Sequence, residues 1–216
     1  MGFGVILIVV IVWIVLRLAF RSDQTPTNPY DGQPISLEQQ RIQRAGIQGE
    51  EELYREIKRV IYHGHILRNV KVPTGYGNTT EVDLLVIHHT GLYVFEYKNY
   101  VGRVYGREDY DQWVQVKDNG VKKQFYNPMK QNDTHIRCLS HHLDLEETCF
   151  YSYIVFSDRC RLTDIVQHSN VDLIMNKHEL KQYLSEDILH NDRQLTEEEV
   201  EDIYCDLLEL EHTYAE

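Results

Sequence analysis

The longest β-type run of apolar positions lies in the middle of the chain, in residues 81–106, EVDLLVIHHTGLYVFEYKNYVGRVYG. Apolar runs of this length on either side of His89-Thr90-Gly91 predict two β-strands that are joined as a hairpin. Three charged residues, Asp83, Glu96 and Lys98, interrupt the run. A buried charge is costly unless it is paired or bound to a metal, so these residues mark a candidate site.

The pattern around this hairpin predicts alternating helices and strands. A helical stripe of apolar residues predicts a first helix over about residues 36–61, and Asn127-Pro128 opens a second helix. Further strands are predicted near HILRNVKV, around Trp113, in CFYSYIVFS and in VDLIM, and the last two helices begin with capping-box patterns. This order predicts a mixed α/β fold, in which helices pack against a central sheet.

The N-terminal segment GFGVILIVVIVWIVLRLAF carries no charge before Arg17. It predicts a transmembrane anchor over residues 1–21, with residues 3–20 in the bilayer. A signal peptide is disfavoured because Arg17 and Arg21 follow the apolar run instead of preceding it. The same positive charges predict a single-pass protein of the cell membrane whose soluble domain is cytoplasmic. Residues 22–37 are rich in proline and polar residues, which predicts a linker.

The net charge of −12 argues against a protein that coats nucleic acid by bulk electrostatics. The acidic residues crowd the C-terminal helix, which is a candidate surface for a protein partner. By contrast, residues 98–130 are locally basic and include Arg103, Lys122 and Lys123. These three residues are candidates for contacts with a nucleic-acid backbone. The four cysteines lack the C-x-x-C spacing of a zinc site.

Side chains alternate between the two faces of a strand, so Glu96 and Lys98 point to the same face as Val94. If the hairpin register brings Asp83 opposite the Glu96 region, two carboxylates and one ammonium group meet at one end of the sheet. Two close carboxylates repel each other unless a cation lies between them, and Mg²⁺ is a hard ion that prefers oxygen ligands. The alternative is a solvent-exposed Glu-x-Lys pair without chemical function.

Four sequence blocks, in order, resemble the nuclease-related domain (NERD) family, a branch of the PD-(D/E)xK nucleases. They are GIQGEEELYREI, the 81–106 segment itself, QWVQ, and NPMKQNDTHIRCL, and together they cover about residues 43–160. The resemblance implies a restriction-endonuclease-like core with a central mixed four-stranded sheet flanked by helices. We therefore assign residues 38–160 to the nuclease-related core and residues 161–216 to a C-terminal strand and helices that complete or flank it.

The resemblance also implies roles for individual residues. Asp83 and Glu96 would bind Mg²⁺ or Mn²⁺, Lys98 would be the catalytic lysine, and Glu50 would be the acid on the first helix that completes the site. Two glutamines, Gln115 and Gln131, would lie beside the site and contact nucleic acid. The histidines of the second helix, His135 among them, are expected to face solvent.

Together these features predict a membrane-tethered, metal-dependent nuclease that hydrolyses phosphodiester bonds in DNA. One alternative is a non-catalytic platform of the same fold that binds nucleic acid or a protein at the membrane. A third hypothesis is a membrane scaffold in which the nuclease fold is incidental.

Overall fold

The computed structural model describes residues 36–75 and 77–214. By its internal contacts the chain divides into two units, residues 1–45 and 46–216. The first unit is described only from Ser36 to Ala45, where Ser36 and Gln39 cap the first helix through reciprocal hydrogen bonds. The predicted anchor (1–21) and most of the predicted linker (22–37) lie outside the described residues. No described helix has both the length and the apolar character needed to cross a membrane.

The described chain contains four α-helices and nine β-strands. The helices are α1 (Leu37–Lys58), α2 (Pro128–Leu143), α3 (Leu180–His190) and α4 (Glu197–Tyr214). The strands are β1 (His65–Pro73), β2 (Thr79–His88), β3 (Gly91–Lys98), β4 (Gly102–Arg107), β5 (Gln112–Val116), β6 (Lys122–Tyr126), β7 (Phe150–Phe156), β8 (Cys160–Val166) and β9 (Asp172–Asn176). The predicted hairpin is confirmed, with its turn between His88 and Gly91.

The central sheet is mixed and has five strands in the order β1-β2-β3-β7-β9. Strands β1 and β3 each pair with β2 in the antiparallel sense, whereas β3, β7 and β9 run parallel. The prediction of four strands was therefore wrong. The five-residue strand β9 lies in the C-terminal segment, outside the predicted core, yet it pairs with β7 along its whole length.

A second, four-stranded sheet has the order β6-β5-β4-β8 and was not predicted as a sheet. Its inner face carries Val104, Trp113 and Phe125, which pack against Phe156 of the central sheet. The strands are short, and only alternate side chains are buried, so the sequence signal of each strand is weak. Gly106 makes the packing possible, because a Cβ atom there would meet the Trp113 ring at 2.1 Å.

Helices cover both faces of the central sheet. Leu53 of α1 and Leu180 of α3 belong to the apolar cluster on one face, together with Phe95. On the other face, Leu139 of α2 belongs to the cluster that contains Val94. The strands of a sheet that is buried on both faces are apolar at nearly every position. This explains why residues 84–97 are mostly apolar. Glu96 and Lys98 share the face of Val94, so they lie beneath α2.

Candidate active site

The hairpin register brings Asp83 next to Glu96. Pairing between β2 and β3 runs from His88↔Gly91 to Leu84↔Phe95, so Asp83 and Glu96 follow directly after the last pair. Beyond the last pair, the Tyr97 amide donates a hydrogen bond at 2.7 Å to the Asp83 side chain, at Oδ2. The carboxylate takes the place that a backbone carbonyl has in the paired part of the strands. The two carboxylates therefore lie where the strands separate, as the sequence predicted.

Glu96 is the most deeply buried charge of the site, with 1% of its surface exposed. Its Oε1 atom lies 2.5 Å from Lys98 Nζ, and its Oε2 atom lies 3.2 Å from Nε2 of His135. A buried carboxylate is tolerated only when its desolvation is offset by pairing and hydrogen bonds. Glu96 has both, because one carboxylate oxygen pairs with Lys98 and the other is hydrogen-bonded to His135.

Helix α2 supplies two polar residues to the site. Asn127 caps its N-terminus by accepting a hydrogen bond from the Met129 amide at 2.9 Å, and Pro128 occupies the first turn. Gln131 and His135 are one turn apart and therefore share a face of the helix. Gln131 Oε1 accepts a hydrogen bond from Lys98 Nζ at 3.0 Å, so the lysine is held by two acceptors.

The hydrogen bonds of His135 select one tautomer of its neutral imidazole. An ionised carboxylate accepts only, so Nε2 of His135 must donate to Glu96. In the neutral imidazole the other ring nitrogen, Nδ1, which lies 2.8 Å from Thr80 Oγ1, then accepts from that hydroxyl. The chain of hydrogen bonds from Thr80 through His135 to Glu96 holds the carboxylate in one orientation.

Lys98 carries its positive charge at neutral pH. Burial acts to lower its pKa, but attraction to Glu96 and the hydrogen bond between them act in the opposite sense, and the net result is a raised pKa. A lysine with a raised pKa is a poor proton acceptor. The side chain is therefore suited to stabilising negative charge and not to general-base catalysis.

Asp83 and Glu50 are crowded by negative charge. Burial, followed by repulsion from Glu96, raises the pKa of Asp83 to about 8, against the opposing effects of the Tyr97 amide and Lys98. Burial likewise raises the pKa of Glu50, with further contributions from Glu81 and Glu96 that oppose the effect of Arg68. The three acids Glu50, Asp83 and Glu96 therefore influence one another, with Lys98 as the cation that is hydrogen-bonded to one of them.

Gly49 lets helix α1 approach the end of β3. A Cβ atom at this position would meet the ring of Tyr97 at 2.5 Å and the side-chain amide of Asn99 at 2.8 Å. The absence of a side chain therefore brings the helix close to the strand that carries Glu96 and Lys98. Glu50 is the next residue along the helix, which explains why it interacts electrostatically with Glu96.

The donor set fits a hard divalent cation that keeps part of its water shell. Asp83 and Glu96 supply carboxylate oxygens at a place where like charges are crowded, which a cation would relieve. Within residues 36–75 and 77–214, no three His, Cys, Asp or Glu side chains form a group that could hold a metal ion. Mg²⁺ is commonly bound through one or two carboxylates with waters and substrate phosphates, so two ligands are compatible with it.

The other predicted site residues lie on the second sheet. Gln115 is 4% exposed, and its amide donates a hydrogen bond to the Val101 carbonyl at 2.9 Å. Arg103, Lys122 and Lys123 are exposed on β4 and β6. Within the described part of the chain, none of these four residues forms a hydrogen bond or ion pair with Glu50, Asp83 or Glu96. Their role in nucleic-acid binding stays a prediction.

Three residues of the site were not predicted from the sequence. The expectation that His135 faces solvent was wrong, because the residue is 2% exposed and contacts Glu96. Its spacing of four residues from Gln131 was the signal that places both side chains on one helix face. Thr80 and Tyr100 had no such signal. Burial raises the pKa of the Tyr100 phenol, and both Lys98 and Glu96 act on it.

Residues 45–157, more than half of the 216-residue chain, match the nuclease-related domain (NERD) family. An uncharacterised protein of Bacillus anthracis is 35% identical over 147 residues, which are 67% of this chain and 66% of that protein. Among solved structures, the small subunit of the heterodimeric restriction endonuclease R.BspD6I is similar to 77% of this chain over 89% of its own length, with 12% identity and a TM-score of 0.30. The chain belongs to the nuclease-related domain family.

Proposed function

We propose that the protein is a metal-dependent nuclease that hydrolyses phosphodiester bonds in DNA at the end of strand β3. The observation that carries the proposal is the convergence of two mutually repelling carboxylates, Asp83 and Glu96, with a charged lysine, Lys98. Membership of the nuclease-related domain family supports the same reaction class.

The residues of the site would act through charge and orientation. Mg²⁺ or Mn²⁺ bound by Asp83 and Glu96 would supply Lewis-acid charge to the phosphate and favour the hydroxide form of a bound water. Lys98 donates hydrogen bonds to a non-bridging phosphate oxygen and stabilises the charge that develops there. In hydrolysis a water oxygen bonds to phosphorus and the water gives up one proton. The bond from phosphorus to the leaving sugar oxygen breaks, and that oxygen takes up one proton, so the protons balance.

The supporting residues limit where Lys98 and Glu96 can move. Gln131 holds Lys98 from the helix side, and His135 holds the Oε2 atom of Glu96. Both come from α2, which is anchored to β3 and β7 by Asn132 through hydrogen bonds to the Val94 carbonyl and the Ser152 hydroxyl. We assign Glu50 an assisting role, because it adds negative charge at the site.

The proposed function includes attachment to a membrane. Its support is the apolar segment within residues 1–21, whose flanking arginines favour a cytoplasmic location for the nuclease domain of a single-pass protein. The acidic helix α4 buries Val200, Ile203 and Leu207 and exposes Glu197 and Glu198. That exposed acidic side is the proposed surface for a protein partner.

A cleavage assay on supercoiled plasmid, single-stranded DNA and RNA tests this function. We expect the wild type to cleave DNA with Mg²⁺ or Mn²⁺ and not with EDTA, and we expect Asp83→Asn and Lys98→Ala to be inactive. Equal cleavage by the three proteins would dismiss this site. DNA binding without cleavage, even in Mn²⁺, would favour the non-catalytic platform, and preferential cleavage of RNA would change the substrate.

A further inference from the structure

Three arginines surround a cleft of about 600 Å³ beside the second sheet. The cleft is lined by Arg103, Arg159 and Arg161, together with Gly102, Asp118, Asp158, Cys160, Asn176 and His178. All three arginines are exposed. We call Arg103, Arg159, Arg161 and the neighbouring Lys122 the arginine surface.

The sheet register aligns three members of this surface in one row. Arg103 pairs with Arg161 of β8 on one side and with Val116 of β5 on the other, and Val116 pairs with Lys122 of β6. Residues that are paired across a sheet point to the same face, so the three cations share the face opposite to Trp113 and Phe125. With strands about 4.8 Å apart, the row extends for roughly 14 Å.

The arginine surface lacks the carboxylate partners that a purely structural cluster would have. No ion pair joins Arg103, Arg159, Arg161 or Lys122 to an acidic residue in the described part of the chain. Of the two acids in the cleft, Asp158 is engaged by the backbone and ring of His178. Like charges directly opposite each other on neighbouring strands are destabilising, and Arg103 faces Arg161 in this way. An anionic ligand would relieve that repulsion.

The surface is continuous with the candidate active site. The Arg159 guanidinium donates to Asn99 Oδ1 at 2.6 Å, and Asn99 is the residue after Lys98. The backbone joins the same elements, because the Gly102 amide donates to the Arg159 carbonyl at 3.2 Å and the Ser157 amide donates to the Lys98 carbonyl at 3.0 Å. The arginine surface therefore begins at the C-terminal ends of the parallel strands β3 and β7, one residue beyond the proposed catalytic lysine.

We propose that the arginine surface binds the phosphate backbone of the DNA segment that flanks the scissile bond. The inference rests on the proposed function and adds Arg159 and Arg161 to the residues that contact DNA. A DNA strand carries one charge per about 3.4 Å of helix axis, so a row of roughly 14 Å spans about four phosphates. Continuity with Lys98 favours DNA over an anionic lipid headgroup as the ligand.

The experiment measures binding of the full-length protein to a labelled DNA duplex in EDTA over a range of salt concentrations. The test variant is Arg103→Gln with Arg161→Gln. The matched control is Arg55→Gln with Arg59→Gln, which removes the same charge from exposed arginines of α1 that pair with Glu51 and Glu56. We expect the test variant to lose about tenfold or more in affinity and the slope of log K against log salt to fall by about 2 units, whereas the control keeps both values.

An unchanged slope in the test variant, with its fold intact by circular dichroism, would overturn the inference. So would unchanged DNA binding with lost binding to vesicles that contain phosphatidylserine, because the ligand would then be a membrane. Failure of the proposed function would be seen in a separate experiment, as DNA cleavage retained by Asp83→Asn. The salt dependence of DNA binding, measured in EDTA, would still test the arginine surface in that case.

Discussion

Two partly buried aspartates, Asp83 and Asp172, have different neighbours. Burial raises the pKa of Asp83 to about 8 and that of Asp172 to about 6. The carboxyl group of Asp172 accepts a hydrogen bond from the Ser152 hydroxyl, which in turn accepts one from the Asn132 amide at 2.7 Å. Asp83 accepts a backbone hydrogen bond as well, but repulsion from Glu96 is the second-largest effect on its pKa, after burial. Repulsion between Asp172 and its acidic neighbours has a smaller effect on the pKa of Asp172 than its hydrogen bond has.

The difference separates a structural acid from a candidate ligand. At Asp172 the neutral Ser152 hydroxyl partly offsets the burial of the carboxylate, and it acts more strongly than the neighbouring charges. The acids around Asp83 can be stabilised together only by taking up protons or by binding a cation, because Lys98 is their one hydrogen-bonded cation in the described residues. Crowding of like charges is therefore a better indication of a site than burial alone.

The largest expected effect is on DNA cleavage, and it should separate the two aspartates when each is replaced with asparagine. Asp83→Asn should lower the rate of DNA cleavage at least about 100-fold, because it removes a proposed metal ligand. Asp172→Asn should cleave DNA within about threefold of the wild type, since that residue lies outside the site. Initial rates on plasmid DNA measure both. Equal losses in the two variants would mean that the contrast between the aspartates reflects folding and not chemistry.

Two glycines of α1 test whether the helix must approach β3 closely. Gly49→Ala should destabilise the protein by about 1–3 kcal/mol and displace Glu50, because the new methyl group would overlap the Tyr97 ring. Gly46 has no atom within 4 Å of a new Cβ, so Gly46→Ala should instead add about 0.5–1 kcal/mol. Urea unfolding measures both variants. A Gly49→Ala protein as stable as Gly46→Ala would contradict the close approach.

The hydrogen bonds of His135 should matter for metal binding more than for folding. His135→Ala frees one oxygen of Glu96, and we expect the Mn²⁺ concentration for half-maximal cleavage to rise about tenfold. Thr80→Val removes the donor to Nδ1 and should act in the same direction with a smaller shift. His141→Ala is the control, since His141 is exposed on the same helix. Unchanged Mn²⁺ dependence in His135→Ala would remove the residue from the site.

The smallest effect concerns pH and Asp172. Its pKa in the folded protein, about 6, lies above the ordinary aspartate value of 3.8, so between these pH values the folded state binds more protons than the unfolded state. Stability should therefore decline as pH rises from about 4 to about 6, by on the order of 1 kcal/mol relative to Asp172→Asn. Asp133 and Glu108 act on the same group and support this direction. Parallel stability curves for wild type and variant over this range would contradict the assignment.

The hairpin and its charges were predictable because both depend on local pattern. Alternation of side chains placed Glu96 and Lys98 on one face, and the turn before Gly91 set the register that brings Asp83 close to them. The second sheet and strand β9 were harder to predict, since short strands such as Gln112–Val116 gain their stability from distant partners such as Phe156. The burial of His135 likewise could not be predicted from the sequence of its helix alone. It depends on contacts with Thr80 and Glu96, which lie on distant strands.

The most direct measurement is a crystal structure of the protein grown with Mn²⁺ and phased with the anomalous signal of the metal. We predict one anomalous peak within about 2.3 Å of carboxylate oxygens from both Asp83 and Glu96, and its loss in Glu96→Gln. The absence of a peak at these two residues in crystals of active protein, or a peak only beside Asp172, would contradict a metal-dependent site at the end of β3.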